Sequence, residues 1–238
     1  AHWGSEMTYD YFLNKHNRNS IDGNGHVLVS YIHYDVNYGN AFWDGFRMTY
    51  GDGSNGNSPF TTLKISGHEI THGLTQNSAG LVYQDESGAL NESFSDIFGK
   101  SIESYARPNN TNWILGSDLG FVMRNMSNPN QAGDPDTYQG TNWYTGTADN
   151  GGVHTNSGVL NFWYYLLTDG GSGTNDIGNN YNVTGIGLDD AGAIAFRTLT
   201  VYLTTNSQYQ DAYTYSLQAA EDLFGPCSPQ LESTHNAW

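Results

Sequence analysis

Basic residues are scarce in this chain: eight Lys and Arg stand against 24 Asp and Glu, a formal net charge of −16 over 238 residues. Nucleic acid and anionic membrane surfaces both need clustered Lys and Arg, so neither is expected as a partner. The acidic residues are spread along the chain rather than blocked, which reads as a solubility feature. Long apolar runs are missing as well. With no uninterrupted run of about 18 apolar residues, no transmembrane helix is expected. Ala1-His2-Trp3-Gly4 is not the apolar core of a signal peptide. Cysteine is nearly absent: Cys227 stands alone and cannot close an internal disulfide. It is expected either as a buried thiol or with a partner outside the chain. The remainder is 37% hydrophobic, enough to bury a substantial core.

Against that background, His68-Glu69-Ile70-Thr71-His72 is the most informative stretch. Thr61 to Asn77 can form a helix, on which residues four apart share a face. Two imidazoles so placed can bind one Zn²⁺. Glu69 falls about 100° round the helix from His68. A carboxylate there sits beside the metal, where it can take a proton from water.

A third ligand is available downstream. In the segment from Ser87 to Arg107, Leu90, Phe94, Ile97, Phe98 and Ile102 recur at helical spacing. Glu92 and Asp96 are four apart on the same predicted helix. Catalytic zinc usually takes three protein ligands and keeps one position open, and two histidines with a glutamate is a known set. Asp96 can then accept a hydrogen bond from the second ring nitrogen of a ligating histidine, fixing its tautomer.

His68-Glu69-Ile70-Thr71-His72-Gly73, followed by Gly88-Ala89-Leu90-Asn91-Glu92-Ser93-Phe94-Ser95-Asp96, resembles the thermolysin family of secreted neutral metalloproteases. Asn40-Ala41-Phe42-Trp43-Asp44-Gly45 resembles that family's edge strand, and Asp149-Asn150-Gly151-Gly152-Val153-His154 its second catalytic segment. The blocks occur in the family's order, and the similarity runs from Ala1 nearly to the end.

The resemblance implies His68, His72 and Glu92 as zinc ligands and Glu69 as general base. Asp96 would orient His68, and Asn91 would orient His72. Tyr83, one of 17 tyrosines, and His154 would donate to the oxyanion, with Asp149 holding His154. Asn40 and Ala41 would bind substrate backbone and Arg124 a substrate carbonyl. Phe60, Ile65, Leu115, Leu119 and Met123 would line the pocket for the side chain after the cut bond, while Trp43 packs. Calcium is not expected at the family's double site. Of its carboxylates only Glu103 survives, and the others read Lys64, Asn112, Ile114 and Ser117. Lys64 is expected to replace the metal by pairing with Glu103.

The implied architecture is α+β and two-lobed. A β-rich N-terminal lobe, 1–79, ends in the zinc helix, and a mainly helical lobe follows, 80–238, with a cleft above that helix. Periodicity predicts helices over Glu6–Asn17, Thr155–Leu167, Leu188–Thr205 and Gln210–Phe224, and strands over Val27–Val36 and Phe46–Tyr50. Thr168 to Gly187 reads as a Gly- and Asn-rich link. The chain is expected to begin inside the family's N-terminal lobe and to represent mature, secreted, monomeric material acting on proteins or peptides. A non-catalytic zinc-bearing module for adhesion or peptide binding would keep His68, His72 and Glu92. It has no use for Glu69, His154 and Tyr83 together.

Overall fold

The computed structural model describes residues 1–54, 56 and 58–238, and it is α+β. The elements in chain order are α1 (His2–His16), β1 (Ser30–Tyr31), β2 (Ala41–Trp43), β3 (Met48–Tyr50), α2 (Leu63–Gln76), α3 (Asp85–Ala106), β4 (Ile114–Leu115), β5 (Arg124–Asn125), α4 (Pro129–Ala132), α5 (Asp149–Asn156), α6 (Gly158–Asp169), β6 (Gly171–Thr174), β7 (Asn180–Val183), α7 (Gly187–Arg197), α8 (Tyr209–Phe224) and α9 (Pro229–Asn236). They form two compact units. One comprises residues 1–77 and 95–123, the other 78–94 and 124–238, and α3 runs unbroken through the boundary.

In the first unit the strand content is smaller than the sequence suggests. Of the predicted strand Val27–Val36 only Ser30–Tyr31 pairs, in parallel with Met48–Thr49. The apolar residues flanking it, Val27 and Val36, are exposed, so no buried face holds them in a ladder. The sheet order β1-β3-β2 places β2 at an edge, antiparallel to β3 with Ala41 opposite Tyr50. Helix α1 begins four residues before its predicted start and is closed by Asn17, whose left-handed φ of 51° lets its own N–H return to the Leu13 carbonyl and the following Arg18 N–H to the Phe12 carbonyl. The core gathers Phe12, Met48, Tyr50, Ile70, Leu74 and Phe98, with Phe12 and Phe98 rings edge-on at 5.4 Å.

The second unit is helical. Leu160, Tyr164, Leu167, Ile194 and Leu199 fill its core. The predicted helix Thr155–Leu167 is two helices meeting at Ser157, and the predicted Leu188–Thr205 is α-helical over Gly187–Arg197 and widens into a π-type turn over Thr198–Tyr202. Helix α8 starts on a reciprocal cap between Gln208 and Asp211. The Gly- and Asn-rich link is a hairpin, β6 antiparallel to β7 with Ser172 opposite Asn182. Cys227 is exposed and free, so the buried-thiol alternative does not hold.

Candidate active site

Helix α2 carries the H-E-x-x-H residues. Leu63, Ile70 and Leu74 anchor its buried face, and Asn77 closes it through a side-chain bond to the Gly73 carbonyl at 2.8 Å. Two glycines set how closely it meets the C-terminal part of α3. A Cβ on Gly99 would lie 2.7 Å from the Lys64 carbonyl oxygen and 3.3 Å from the His68 nitrogen. A Cβ on Gly67 would lie 3.2 Å from the Gly99 Cα. The backbones therefore approach as closely as they do only because both positions lack a side chain. Gly99→Ala is expected to force the helices apart, costing about 1–3 kcal/mol and weakening zinc retention. Urea melts and metal content of the variant check both, and an unchanged melt would contradict the packing argument.

That approach delivers the histidine geometry. His68, 6% exposed, donates from Nδ1 to Asp96 Oδ1 at 2.7 Å, and Asp96 is fully buried. Because an ionised carboxylate only accepts, the Nδ1 proton is fixed and the lone pair falls on Nε2. His72 Nδ1 lies 3.2 Å from Ser95 Oγ. The two Nε2 atoms converge to 3.2 Å. Two nitrogens each at 2.0–2.1 Å from one tetrahedral zinc stand about 3.3 Å apart, so the pair fits that ion. Glu69, half-buried, lies next along α2. Nearby, burial pushes the Tyr50 phenol up to about 12, and the Glu69 carboxylate adds to the rise.

Helix α3 carries Glu92 one turn before Asp96, both fully buried. Glu92 accepts a hydrogen bond from Tyr83 Oη. His154 Nε2 stands 3.4 Å from Glu92 Oε1, and the Arg124 guanidinium 3.7 Å from Oε2. Tyr83 Oη and His154 Nε2 are 3.3 Å apart. Asn91, buried, donates to the Leu81 carbonyl at 3.1 Å. Among the described residues, His68, His72 and Glu92 form the group that could hold a metal ion.

The Asp149–Gly152 turn explains how His154 is held. All four residues have left-handed φ, from 50° to 86°. A Cβ on Gly151 would sit 2.0 Å from Asp85 Oδ1 and one on Gly152 2.4 Å from the Tyr144 ring. The turn folds Asp149 back over the start of the helix. Its Oδ2 accepts from the His154 backbone at 2.9 Å and its Oδ1 from His154 Nδ1 at 2.8 Å. A residue held by its own helix cap cannot easily swing away.

The remaining predicted residues are placed as follows. Asn40 is exposed and Ala41 buried at the edge strand β2. Trp43 packs against Gly73 and donates to Gln76 Oε1 at 2.9 Å. Phe60, Ile65, Leu115 and Leu119 are buried in the first unit, and Met123, half-buried there, donates its backbone N–H to the Leu115 carbonyl at 2.9 Å. Ser95 is the neighbour that sequence reasoning passed over. It lies three residues after Glu92, within helical reach of the same face, which was the available signal.

A thermolysin metallopeptidase catalytic-domain model matches residues 1–76, and a thermolysin metallopeptidase alpha-helical-domain model matches residues 79–238. The chain belongs to the thermolysin metallopeptidase family. Among relatives, a bacillolysin of Bacillus caldolyticus and a thermolysin of Alicyclobacillus acidocaldarius are each 45% identical over the whole chain. The chain spans 44% of the length of each. Among solved structures, the precursor of protealysin, a metalloproteinase from Serratia proteamaculans, aligns with a TM-score of 0.83 at 30% identity, covering all of this chain and 75% of that one. This thermolysin-family chain thus matches both family models, and His68, His72 and Glu92, which could hold a metal ion, lie within the matched residues. No described helix is long and apolar enough to cross a membrane.

Proposed function

We propose that this chain works as a secreted zinc endopeptidase on proteins and peptides, with His68, His72 and Glu92 holding the ion. The convergence of the two Nε2 atoms, with Asp96 fixing one ring, is the observation that carries this reading. Zinc, when bound, lowers the pKa of water to near 7 and polarises a carbonyl. Glu69 accepts the water's proton and later returns it to the leaving amine. Asp96 supports the His68 imidazole through the bond it already makes. His154, tethered by Asp149, and Tyr83 donate to the developing oxyanion. Such donors are worth roughly 3–4 kcal/mol each. Asn40 and Ala41 hold extended substrate backbone along the sheet edge, and Arg124 binds a substrate carbonyl. A non-catalytic zinc module has no use for a tethered His154 beside Tyr83, so catalysis is the better reading. Casein hydrolysis that stops with a zinc chelator and returns with zinc is the expected result. Zinc-loaded protein that cuts neither casein nor a blocked dipeptide amide would overturn it.

Specificity follows from Phe60, Ile65, Leu115, Leu119 and Met123. An apolar lining favours Leu, Ile or Phe just after the cut bond, by roughly 1.5–3 kcal/mol per buried side chain. Mass-spectrometric cleavage profiling of a proteome digest is expected to show those residues at that position. A profile led by Lys, Asp or Gly would contradict the assignment.

A further inference from the structure

The second unit contains a cavity of ≈ 580 Å³ that none of the peptidase chemistry uses. Its size lies within the range of small-molecule sites, roughly 300–1,000 Å³. Half of its lining residues are Asn or Gln and five are Tyr or Trp; the other two are Glu86 and His235. No Lys, Arg or aliphatic side chain lines it.

This composition excludes most ligand classes. An anion would meet the Glu86 carboxylate and no Lys or Arg, on a chain of net charge −16. An apolar ligand would leave a wall of amides without partners. A cation would find a single carboxylate already engaged, since Glu86 accepts from Tyr138 Oη at 2.8 Å and from the Tyr209 backbone at 3.1 Å. What fits is a neutral molecule rich in groups that both donate and accept, with C–H faces to lie on aromatic rings. Amide side chains offer two donors and an acceptor each, and aromatic faces attract polarised C–H bonds.

The wall is also held in place. Asn175 Oδ1 accepts from the Ile177 and Asn179 backbones at 3.2 and 2.8 Å, fixing the turn of the β6–β7 hairpin. Tyr138 and Tyr209 rings stand 5.7 Å apart, and Tyr213 meets Trp238 edge-on at 6.0 Å. Tyr213 Oη lies 3.3 Å from His235 Nδ1. By contrast the side-chain amides of Asn179, Asn182 and Asn236 take no hydrogen bond from the described protein groups, so they remain available to a ligand.

We propose that this cavity is a binding site for a neutral oligosaccharide. It is separate from the zinc chemistry and would hold the enzyme to a glycan-bearing substrate or matrix. The proposal stands without the peptidase reading, because its readout is binding.

Saturation-transfer NMR and calorimetry on the intact protein test it, using cello-, xylo-, manno- and N-acetylglucosamine oligomers as probes, with polygalacturonate as the anionic control and a neutral Asn/Gln-rich peptide as competitor. At least one neutral oligomer is expected to bind, and Asn179→Ala/Asn182→Ala to weaken it by about tenfold or more. Tyr138→Ala is expected to weaken it too. Both variants are expected to keep peptidase turnover, and the Asn double variant to keep its melting temperature, since its side-chain amides make no hydrogen bond to the described protein groups. Binding of no neutral oligomer, binding unchanged in the Asn double variant, or preference for polygalacturonate or the peptide would each overturn the proposal.

Discussion

Glu69→Gln is expected to lower casein turnover by about 10²–10⁴-fold, the usual contribution of a general base, with zinc content unchanged. The substitution keeps size and hydrogen-bonding shape but removes the basic oxygen. Nothing in the buried face of α2 is disturbed, because Glu69 is half-buried while Leu63, Ile70 and Leu74 anchor the helix. The metal residues are equally untouched: His68 keeps Asp96 at 2.7 Å and His72 keeps Ser95 at 3.2 Å. His72→Ala and Glu92→Ala differ in kind, since each removes a donor atom from the metal group and is expected to lose zinc and activity together. Metal content by plasma emission, read beside steady-state rates, separates the two behaviours. A Glu69→Gln protein that retains zinc and turns over near the parent rate would assign the base elsewhere.

The candidate metal group was legible because His68, His72 and Glu92 are local on two helices. Spacing of four on α2 and again on α3 predicts shared faces, and the buried stripe of Leu90, Phe94, Ile97, Phe98 and Ile102 says which way α3 turns. The Gly67–Gly99 contact was not legible. Nothing in periodicity says that two glycines from separate helices will meet, yet that meeting brings the α3 backbone against Lys64 and His68. Ser95 was hidden for a similar reason, being an unremarkable serine among several on α3. The strands were least legible. Val27 to Val36 has β-branched residues but no buried face to select a register, and only two residues pair. The β6–β7 hairpin erred the other way. Glycines and asparagines signal a turn, and with only Val183 buried among its strand residues there is no alternation to read.

Lys64→Ala is expected to destabilise the protein by about 3–5 kcal/mol, the usual cost of stranding one partner of a buried ion pair. Lys64 is 3% exposed and its Nζ stands 3.3 Å from Glu103 Oε2. It also donates to Asn112 Oδ1 at 2.7 Å, to the Ile114 carbonyl at 2.6 Å and to Ser117 Oγ at 3.3 Å. Thr111 Oγ1 completes the Glu103 carboxylate at 2.7 Å. Burial holds the Lys64 ammonium below the usual lysine range, with the Glu103 charge opposing the shift, so the pair's hydrogen bonds offset a real desolvation cost. These are the positions at which the family resemblance implies a calcium pair. Calcium needs 6–8 oxygens including several carboxylates. Here one carboxylate remains and an ammonium stands 3.3 Å from it, a donor set that does not suit the ion. We infer that the ammonium takes its structural place, tying α2 to the C-terminal part of α3 within one unit. The melting temperature should then be indifferent to a calcium-selective chelator. Lys64→Met combined with Glu103→Leu should recover much of the stability lost in Lys64→Ala, because removing both charges leaves neither one stranded. Urea melts of the three proteins, with and without the chelator, decide the matter. Calcium bound at Glu103, or a large chelator-induced fall in melting temperature with zinc retained, would return the metal to this position and remove the lysine's assigned role.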